Sequence, residues 1–280
     1  MENILNEVIG VDLGGTGIKG GRIVNEQIVS VEKCQTPKTT KAEVVTDRII
    51  GLIKQLIQPS TKAIGIGIPS VVDTQKGIVY DAMNIPAWKE VHLKAILEAE
   101  FNIPVYVNND ANCFAIGEKF YGEGKNYQNF VGLTLGTGLG AGIIQQGRLL
   151  QDANCGSGEF CVVPYLDADF ESYCSGMFFQ SQGLDGQELY EKAIAKDAKS
   201  LKVFEDFGFH IAQLIKLVVA TIDPQMIVFG GSVAKAFHLF ERPMYAEILN
   251  FAYPNSVKNL EIRTSQIANQ AIYGAAALCY

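Results

Sequence analysis

An internal echo constrains this chain more than any other feature. Residues 9–24 read IGVDLGGTGIKGGRIV and residues 131–150 read VGLTLGTGLGAGIIQQGRLL, with one glycine fewer in the second. Each copy is an apolar strand, a Gly/Thr turn, a second strand and a polar turn, at 25–27 and at 145–147. A single recurrence about 120 residues on is not a solenoid, whose period is about 20 to 50 residues. It predicts two related domains, and 280 residues are enough for each to bury its own core.

Helix and strand patterns alternate around the two hairpins. Residues 42–58 and 200–222 carry helical periodicity, the second stopped by Asp223 and Pro224, and residues 90–101 predict another helix. AIGIGIP (63–69), PVYVNN (104–109) and MIVFGG (226–231) read as buried strands, with a helix opening at Asp110. The small apolar run AIYGAAALCY (271–280) reads as a helix packed tightly on a neighbour. The alternation implies an α/β fold, a largely parallel sheet in each half extended by its glycine-rich hairpin. No Pro/Ser-rich linker separates the halves, so a short structured hinge is expected.

A net charge of -7 leaves no basic footprint for nucleic acid or an anionic membrane. Any bound anion must be held locally. MENILNEVIG lacks the pattern of a secretory signal, and no apolar run approaches the roughly 20 residues of a membrane span. The six cysteines contain no CxxC pair, which suits reduced thiols, so a cytoplasmic protein is expected.

The stretches 14–21, 136–142 and 230–231 each follow an apolar strand, where loops at the end of a sheet meet ligands. A turn without Cβ atoms brings backbone N–H groups close to an anion and binds phosphate without a lysine. Neither GxxxxGK[ST] nor GxGxxG followed by a strand-borne acid is present. Several such turns, one holding Asp12, point to nucleotide.

In their order and spacing, DLGGTGIKGG, GIGIPSVVD, NNDANCFAIGE, LTLGTGLGAGI and DPQMIVFGGSV resemble the ROK family of sugar kinases, in the superfamily of actin and hexokinase. The resemblance covers essentially the whole chain. It implies two related actin-like (ribonuclease H-like) domains flanking a cleft that takes the sugar. Residues 1–117 with a C-terminal helix at about 267–280 would form one, and residues 118–266, with the nucleotide-binding side, the other. It also implies ATP and Mg2+ as cofactors, a small-molecule sugar as partner, and a homodimer.

The same resemblance implies roles for single residues. Asp12 lies near the metal-bound phosphates, where a strand-end carboxylate can hold Mg2+ through water. Gly14, Gly15 and Thr16 form one half of a phosphate clamp, Gly136, Thr137 and Gly138 the other, and Gly230 and Gly231 face the adenosine. Lys19 matches a family lysine, though a strand lysine also reads as solvated. Asp110 matches the general base: a sugar hydroxyl attacking the γ-phosphoryl must lose a proton to an acceptor within reach. The other reading of Asp110 is a helix N-cap, and one ionised carboxylate can do both. Asn109 would orient the same sugar edge.

Asn84, ahead of Trp88, and Glu159 and Glu171 match sugar-binding positions of the family. Two departures stand out. Val162 occupies the place of a histidine that serves sugar and zinc, and the zinc-binding cysteine run is missing, so no structural zinc is expected. Cys155, Cys161 and Cys174 match no common zinc spacing and read as buried thiols, and His92, His210 and His238 are given no chemistry. The function implied is an ATP-dependent hexose kinase acting on O6, with glucose the first candidate. The alternative is a catalytically inactive ROK-fold sugar-binding or regulatory protein. With the first strand beginning by residue 7, the helix-turn-helix of sugar-responsive repressors is not expected ahead of it.

Overall fold

A computed structural model of the chain describes residues 6–82, 84–151, 153 and 156–280. It divides into two compact units. Unit 1 comprises Met1–Lys125, Leu149–Ser157 and Ile267–Tyr280; unit 2 comprises Asn126–Arg148 and Gly158–Gln266.

Unit 1 begins with β1 (Glu7–Leu13), β2 (Gly17–Val24), β3 (Gln27–Gln35), α1 (Ala42–Leu56) and β4 (Ala63–Ile68). A small antiparallel sheet follows, made of β5 (Val71–Asp73), β6 (Ile78–Tyr80) and β7 (Glu90–Val91). Then come α2 (Leu93–Phe101), β8 (Val105–Asn109) and α3 (Asp110–Tyr121), with the C-terminal helix Gln270–Ala277 completing the unit. The main sheet has the order β3-β2-β1-β4-β8, antiparallel through the hairpins and parallel across β1, β4 and β8. β1 and β4 are covered on both faces, which is why they read as continuous apolar runs rather than alternating ones.

The two faces are covered differently. Ile9, Val11 and Leu13 of β1 and Ile64, Ile66 and Ile68 of β4 pack with Ile49 and Ile53 of α1 and Leu93 and Leu97 of α2. The opposite face carries Val8, Gly10 and Asp12 in turn, and there the C-terminal helix lies on bare backbone. Gly10 and Gly65 are cross-strand partners. A Cβ on Gly65 would sit 1.8 Å from the Ala275 carbonyl oxygen, and one on Gly10 2.1 Å from that of Ile272. Packing also accounts for Gly20 and Gly21, whose added Cβ atoms would meet Leu52 and Ile272. Those two glycines of the opening motif therefore serve helix contacts and not phosphate.

Unit 2 contains β9 (Phe130–Leu135), β10 (Leu139–Gln145), β11 (Arg148–Leu149), and a short hairpin of β12 (Pro164–Tyr165) and β13 (Ala168–Asp169). The helices α4 (Phe170–Cys174), α5 (Met177–Ser181), α6 (Gly186–Ile194) and α7 (Ala198–Ile222) follow. β14 (Met226–Gly230), α8 (Phe237–Ile248), α9 (Pro254–Lys258) and β15 (Glu261–Thr264) complete it. Its sheet, β11-β10-β9-β14-β15, repeats the unit 1 order strand for strand. Both hairpins also turn on consecutive left-handed residues: Asn25 (φ 48°) and Glu26 (φ 66°) in one, Gln146 (φ 53°) and Gly147 (φ 80°) in the other. That geometry matches the twist of the flanking strands. The echo in the sequence is thus a duplicated supersecondary unit.

Some boundaries move. The helix expected over 90–101 begins at Leu93, because Glu90 and Val91 pair with Tyr80 and Val79 as an edge strand. The unit boundary falls at Lys125/Asn126 rather than 117/118, since α3 packs along the C-terminal helix through Gly117 and Gly274 and stays whole within unit 1. Among the described residues no helix is long and apolar enough to cross a membrane.

Candidate functional site

In unit 1 the candidate residues gather at the C-terminal ends of β1, β4 and β8. Asp12 pairs across β1–β4 with Gly67, and Gly67 pairs across β4–β8 with Asn108, which brings Asp12 and the Asn109–Asp110 junction to one sheet edge. Ligands bind at such an edge because the strands end there and loops and helix N-termini begin. Buried Cys113 lies close behind both carboxylates, and burial, reinforced by their charge, pushes its thiol well above the ordinary range.

Burial pushes the Asp12 carboxyl above its ordinary value of 3.8, against the pull of Lys19. A carboxylate left so short of solvation gains from a cation. Among the described residues no group of three or more His, Cys, Asp or Glu could cage a metal. One carboxylate without a protein cage fits Mg2+, which keeps several waters and takes further ligands from substrate phosphates. Lys19, directly opposite Asp12 in the hairpin register, donates to Asn269 Oδ1 at 2.7 Å and ties β2 to the start of the C-terminal helix.

The turn after Asp12 is held by a residue the sequence did not announce. Gly14 N–H donates to Gly17 O at 2.9 Å, while buried Thr36 donates its hydroxyl to Gly14 O at 2.6 Å. Thr16 is exposed at the tip. Asn84, in the left-handed region (φ 62°), stands against the same turn: a Cβ on Gly15 would lie 2.4 Å from Asn84 Cβ. Trp88 is core, donating from Nε1 to Ala42 O at 3.2 Å, and anchors the loop that presents Asn84.

The cap of α3 is Asn109 and not Asp110. Asn109 Oδ1 accepts from Ala111 N at 2.8 Å and from Asn112 N at 3.4 Å, and its Nδ2 donates to Ser70 O at 3.2 Å. The strand conformation runs one residue further than the double role for Asp110 requires, so Asp110 is the first helical residue, exposed, beside a side chain that already caps. Asn109 is correspondingly engaged in holding the helix start.

In unit 2 the candidates converge on the β9–β10 turn. Gly136 N–H donates to Gly138 O at 3.0 Å, Gly176 N–H donates to Gly136 O at 2.7 Å, and Ser175 Oγ donates to Thr137 O at 3.2 Å. Thr137 is left exposed. Glu171 Oε1 accepts Leu139 N–H at 3.1 Å, and a Cβ on Gly138 would come within 2.5 Å of that oxygen. Glu171 therefore braces the glycine turn. Asp169 caps α4 by accepting Ser172 N–H at 2.8 Å, which sets Glu171 in the first turn. Gly230 pairs with Thr134, and Gly231 (φ 88°) follows so close to β9 that a Cβ would lie 2.3 Å from Leu135 O. The expected nucleotide glycines thus lie side by side at one sheet edge.

Glu159 Oε2 accepts the Cys161 thiol at 3.2 Å. Burial, together with that bond and the charges of Glu159 and Glu171, pushes the thiol up to about 12. Cys161 is only half-buried, contrary to a structural core thiol, because its turn lies at the surface; Cys174 is buried, and Cys155 lies outside the described residues. Val162 is 69% exposed, an apolar surface beside Glu159.

The chain is similar to known proteins. A family model described as the ROK family matches residues 8–280. The chain is 28% identical, over 302 aligned positions, to a glucokinase of Halalkalibacterium halodurans, covering 94% of this chain and 91% of that protein. It is 26% identical to a xylose repressor of Bacillus spizizenii, covering 94% of this chain and 74% of the repressor. Among solved structures it is similar to a ROK family glucokinase from Streptomyces griseus in complex with glucose and AMPPNP. The TM-score is 0.81 at 26% identity, covering 97% and 98% of the two chains. The repeated sheets are accordingly those of the two-domain actin-like fold. With a match that runs from the first strand to the last residue, the chain belongs to the ROK family.

Proposed function

We propose that the chain is an ATP-dependent sugar kinase that transfers the γ-phosphoryl of MgATP to a hexose hydroxyl, with glucose O6 as the acceptor. One observation carries the reading: Asp110 stands exposed at the start of α3, on the sheet edge that also bears Asp12. Asp110 accepts the hydroxyl proton as the sugar oxygen attacks phosphorus, and Asn109 fixes it by capping the helix. Asp12 would hold Mg2+, and the ion, when bound, would supply neutralisation of the phosphate oxygens. The turns at Gly14–Thr16 and Gly136–Gly138 offer N–H and hydroxyl groups to phosphates, and Gly230 and Gly231 let the nucleoside approach backbone. Asn84 and Glu159 hold sugar hydroxyls; Glu171 uses one oxygen on Leu139 N–H and its other on the sugar. Excluding water around these groups protects ATP from hydrolysis. Likeness to glucokinases, one of them solved with glucose and AMPPNP, supports this assignment.

A second reading has its own support. The likeness to a xylose repressor extends over 94% of the chain, and exposed Val162 offers a sugar no hydrogen bond. A sugar-responsive protein without phosphoryl transfer would show both.

Purified protein given MgATP and a panel of hexoses, hexosamines and N-acetylhexosamines, with ADP release followed, separates the two. A sugar-dependent rate that falls about 10²- to 10⁴-fold in Asp110→Asn is expected of a lost general base. ADP at the hydrolysis background with every sugar refutes the kinase, and an unimpaired Asp110→Asn refutes the base. Equal release with and without sugar would make the protein an ATPase.

A further inference from the structure

Unit 2 holds a second concave site that the reaction above does not use. A cavity of about 730 Å3 opens beside α4, α5 and α7, lined among others by Asp167, Tyr173, Phe178, Asp206, Phe209 and His210. His210 sits among rings: its centroid is 4.7 Å from Tyr173, 5.4 Å from Phe178 and 5.6 Å from Phe209, and Tyr165 OH bonds its Nδ1 at 3.1 Å. Burial holds the imidazole below its ordinary 6.5, against the pull of Asp206, so at neutral pH it is one more uncharged ring.

The polar groups of the lining decide what fits. Ser172 donates its hydroxyl to Asp169 at 2.7 Å, Ser181 donates to Phe178 O at 3.1 Å, and Tyr173 donates to Asp167. Hydroxyl protons are thus spent within the wall. Gln182, also in the lining, donates an amide N–H to Phe178 O at 3.0 Å. The acids of the lining, Asp167 and Asp206, stand beside the π-surface of rings, and Phe209 is 45% exposed. No Lys or Arg is among the described lining residues; Lys202 stands at the rim, paired with Asp206 at 3.0 Å and with Glu205 at 3.1 Å. An anionic guest meets two carboxylates here, and a neutral apolar guest makes no use of their charge. A guest that brings its own donors and a positive charge suits both the rings and the acids.

We propose that this cavity binds an organic cation, a guanidinium or alkylammonium group, packed on Tyr173 and Phe209 and paired with Asp167 and Asp206. The guest displaces Lys202 from Asp206. Two helices that supply the cavity's walls, α4 and α5, lie next to the residues that brace the β9–β10 turn. Tyr173 follows Glu171 in α4, and Phe178 follows Gly176, whose N–H holds Gly136 O. The binding does not rest on the proposed kinase function.

Calorimetric titration of the full chain with agmatine and with n-butylammonium, using urea as the uncharged counterpart of guanidinium, tests the site. Saturable binding of agmatine and none of urea is expected. Phe209→Ala, at an exposed ring, and Asp206→Asn should each weaken it about three- to thirty-fold, with wild-type melting curves. A short arginine peptide that outcompetes agmatine assigns the site to a protein partner's arginine; the reverse order assigns it to a small amine. Absence of saturation with both cations, equal binding of urea, or unchanged affinity in both variants overturns the proposal. Agmatine binding that both variants weaken, in a protein that phosphorylates no sugar, keeps the site and removes the kinase.

Discussion

Replacing Gly138 with alanine puts a Cβ 2.5 Å from Glu171 Oε1, the oxygen that accepts Leu139 N–H at 3.1 Å. Gly138 is not in the left-handed region, so the backbone tolerates the substitution. The carboxylate ends a flexible side chain, and it moves before the strand does. Its bond to Leu139 is then lost, and a hydrogen bond to a charged group contributes about 1.5–3 kcal/mol. The stiffer backbone of the unfolded alanine variant returns about 0.4–1 kcal/mol, which leaves a net destabilisation of about 0.5–2.5 kcal/mol. In a Glu171→Ala background the clash and the bond are both gone, and no other atom lies within 4 Å of the new Cβ. There Gly138→Ala should be neutral or stabilising. The coupling energy of the cycle is therefore about 1.5–3 kcal/mol, inside the range for residues in contact. Urea denaturation of the four proteins, followed through amides of unit 2, measures it; a probe local to the unit is needed because two units need not unfold in one step. A coupling below about 0.5 kcal/mol, the scatter of independent sites, would refute the bracing role of Glu171.

The capping assignment predicts that Asn109→Ala destabilises unit 1 by about 0.5–2 kcal/mol while Asp110→Asn leaves the urea midpoint near wild type. The opposite ranking would return the cap to Asp110. Gly65→Ala drives a Cβ into the Ala275 carbonyl, which cannot swing aside, and should cost at least about 3 kcal/mol. Hydrogen exchange should show the C-terminal helix losing protection, and unchanged protection would argue against the close approach. Asp12→Asn should raise the melting temperature at pH 7 without Mg2+ or nucleotide. A carboxyl whose pKa burial raises above 3.8 contributes stability that is present below that value and lost as pH climbs through the folded pKa. The gain should vanish in melts taken below the ordinary value, and MgATP should stabilise only the wild type; a variant that melts lower at pH 7 would contradict the dominance of burial at Asp12.

Periodicity and repetition are local properties, and they were legible. β4 and β14 are apolar over their whole length, β1 is apolar between Glu7 and Asp12 and β9 apart from Thr134; α1 and α7 carry a helical stripe, and the duplicated hairpin announced two related sheets. The short pieces of unit 2 were not legible, because β12, β13, α4 and α5 span no more than five residues each, too few to complete a period. They matter all the same, since they place Glu171 and Ser175 on the β9–β10 turn. Nothing in CQTPK announced Thr36, whose hydroxyl holds the other turn from 22 positions away.

By itself the sequence determined the α/β alternation, the duplication, and the residue types available for phosphate, metal and proton transfer. Tertiary structure decided which of them do what. Asn109 and Asp110 are both good caps, and only the length of β8 selects the first and presents the second. Gly14 and Gly20 are the same residue in the same motif, yet one lies at a turn and the other under Leu52. His210 was given no role in the sequence and proves to be the centre of an aromatic wall. Such choices depend on distances between segments far apart in the chain, which spacing along the chain does not encode.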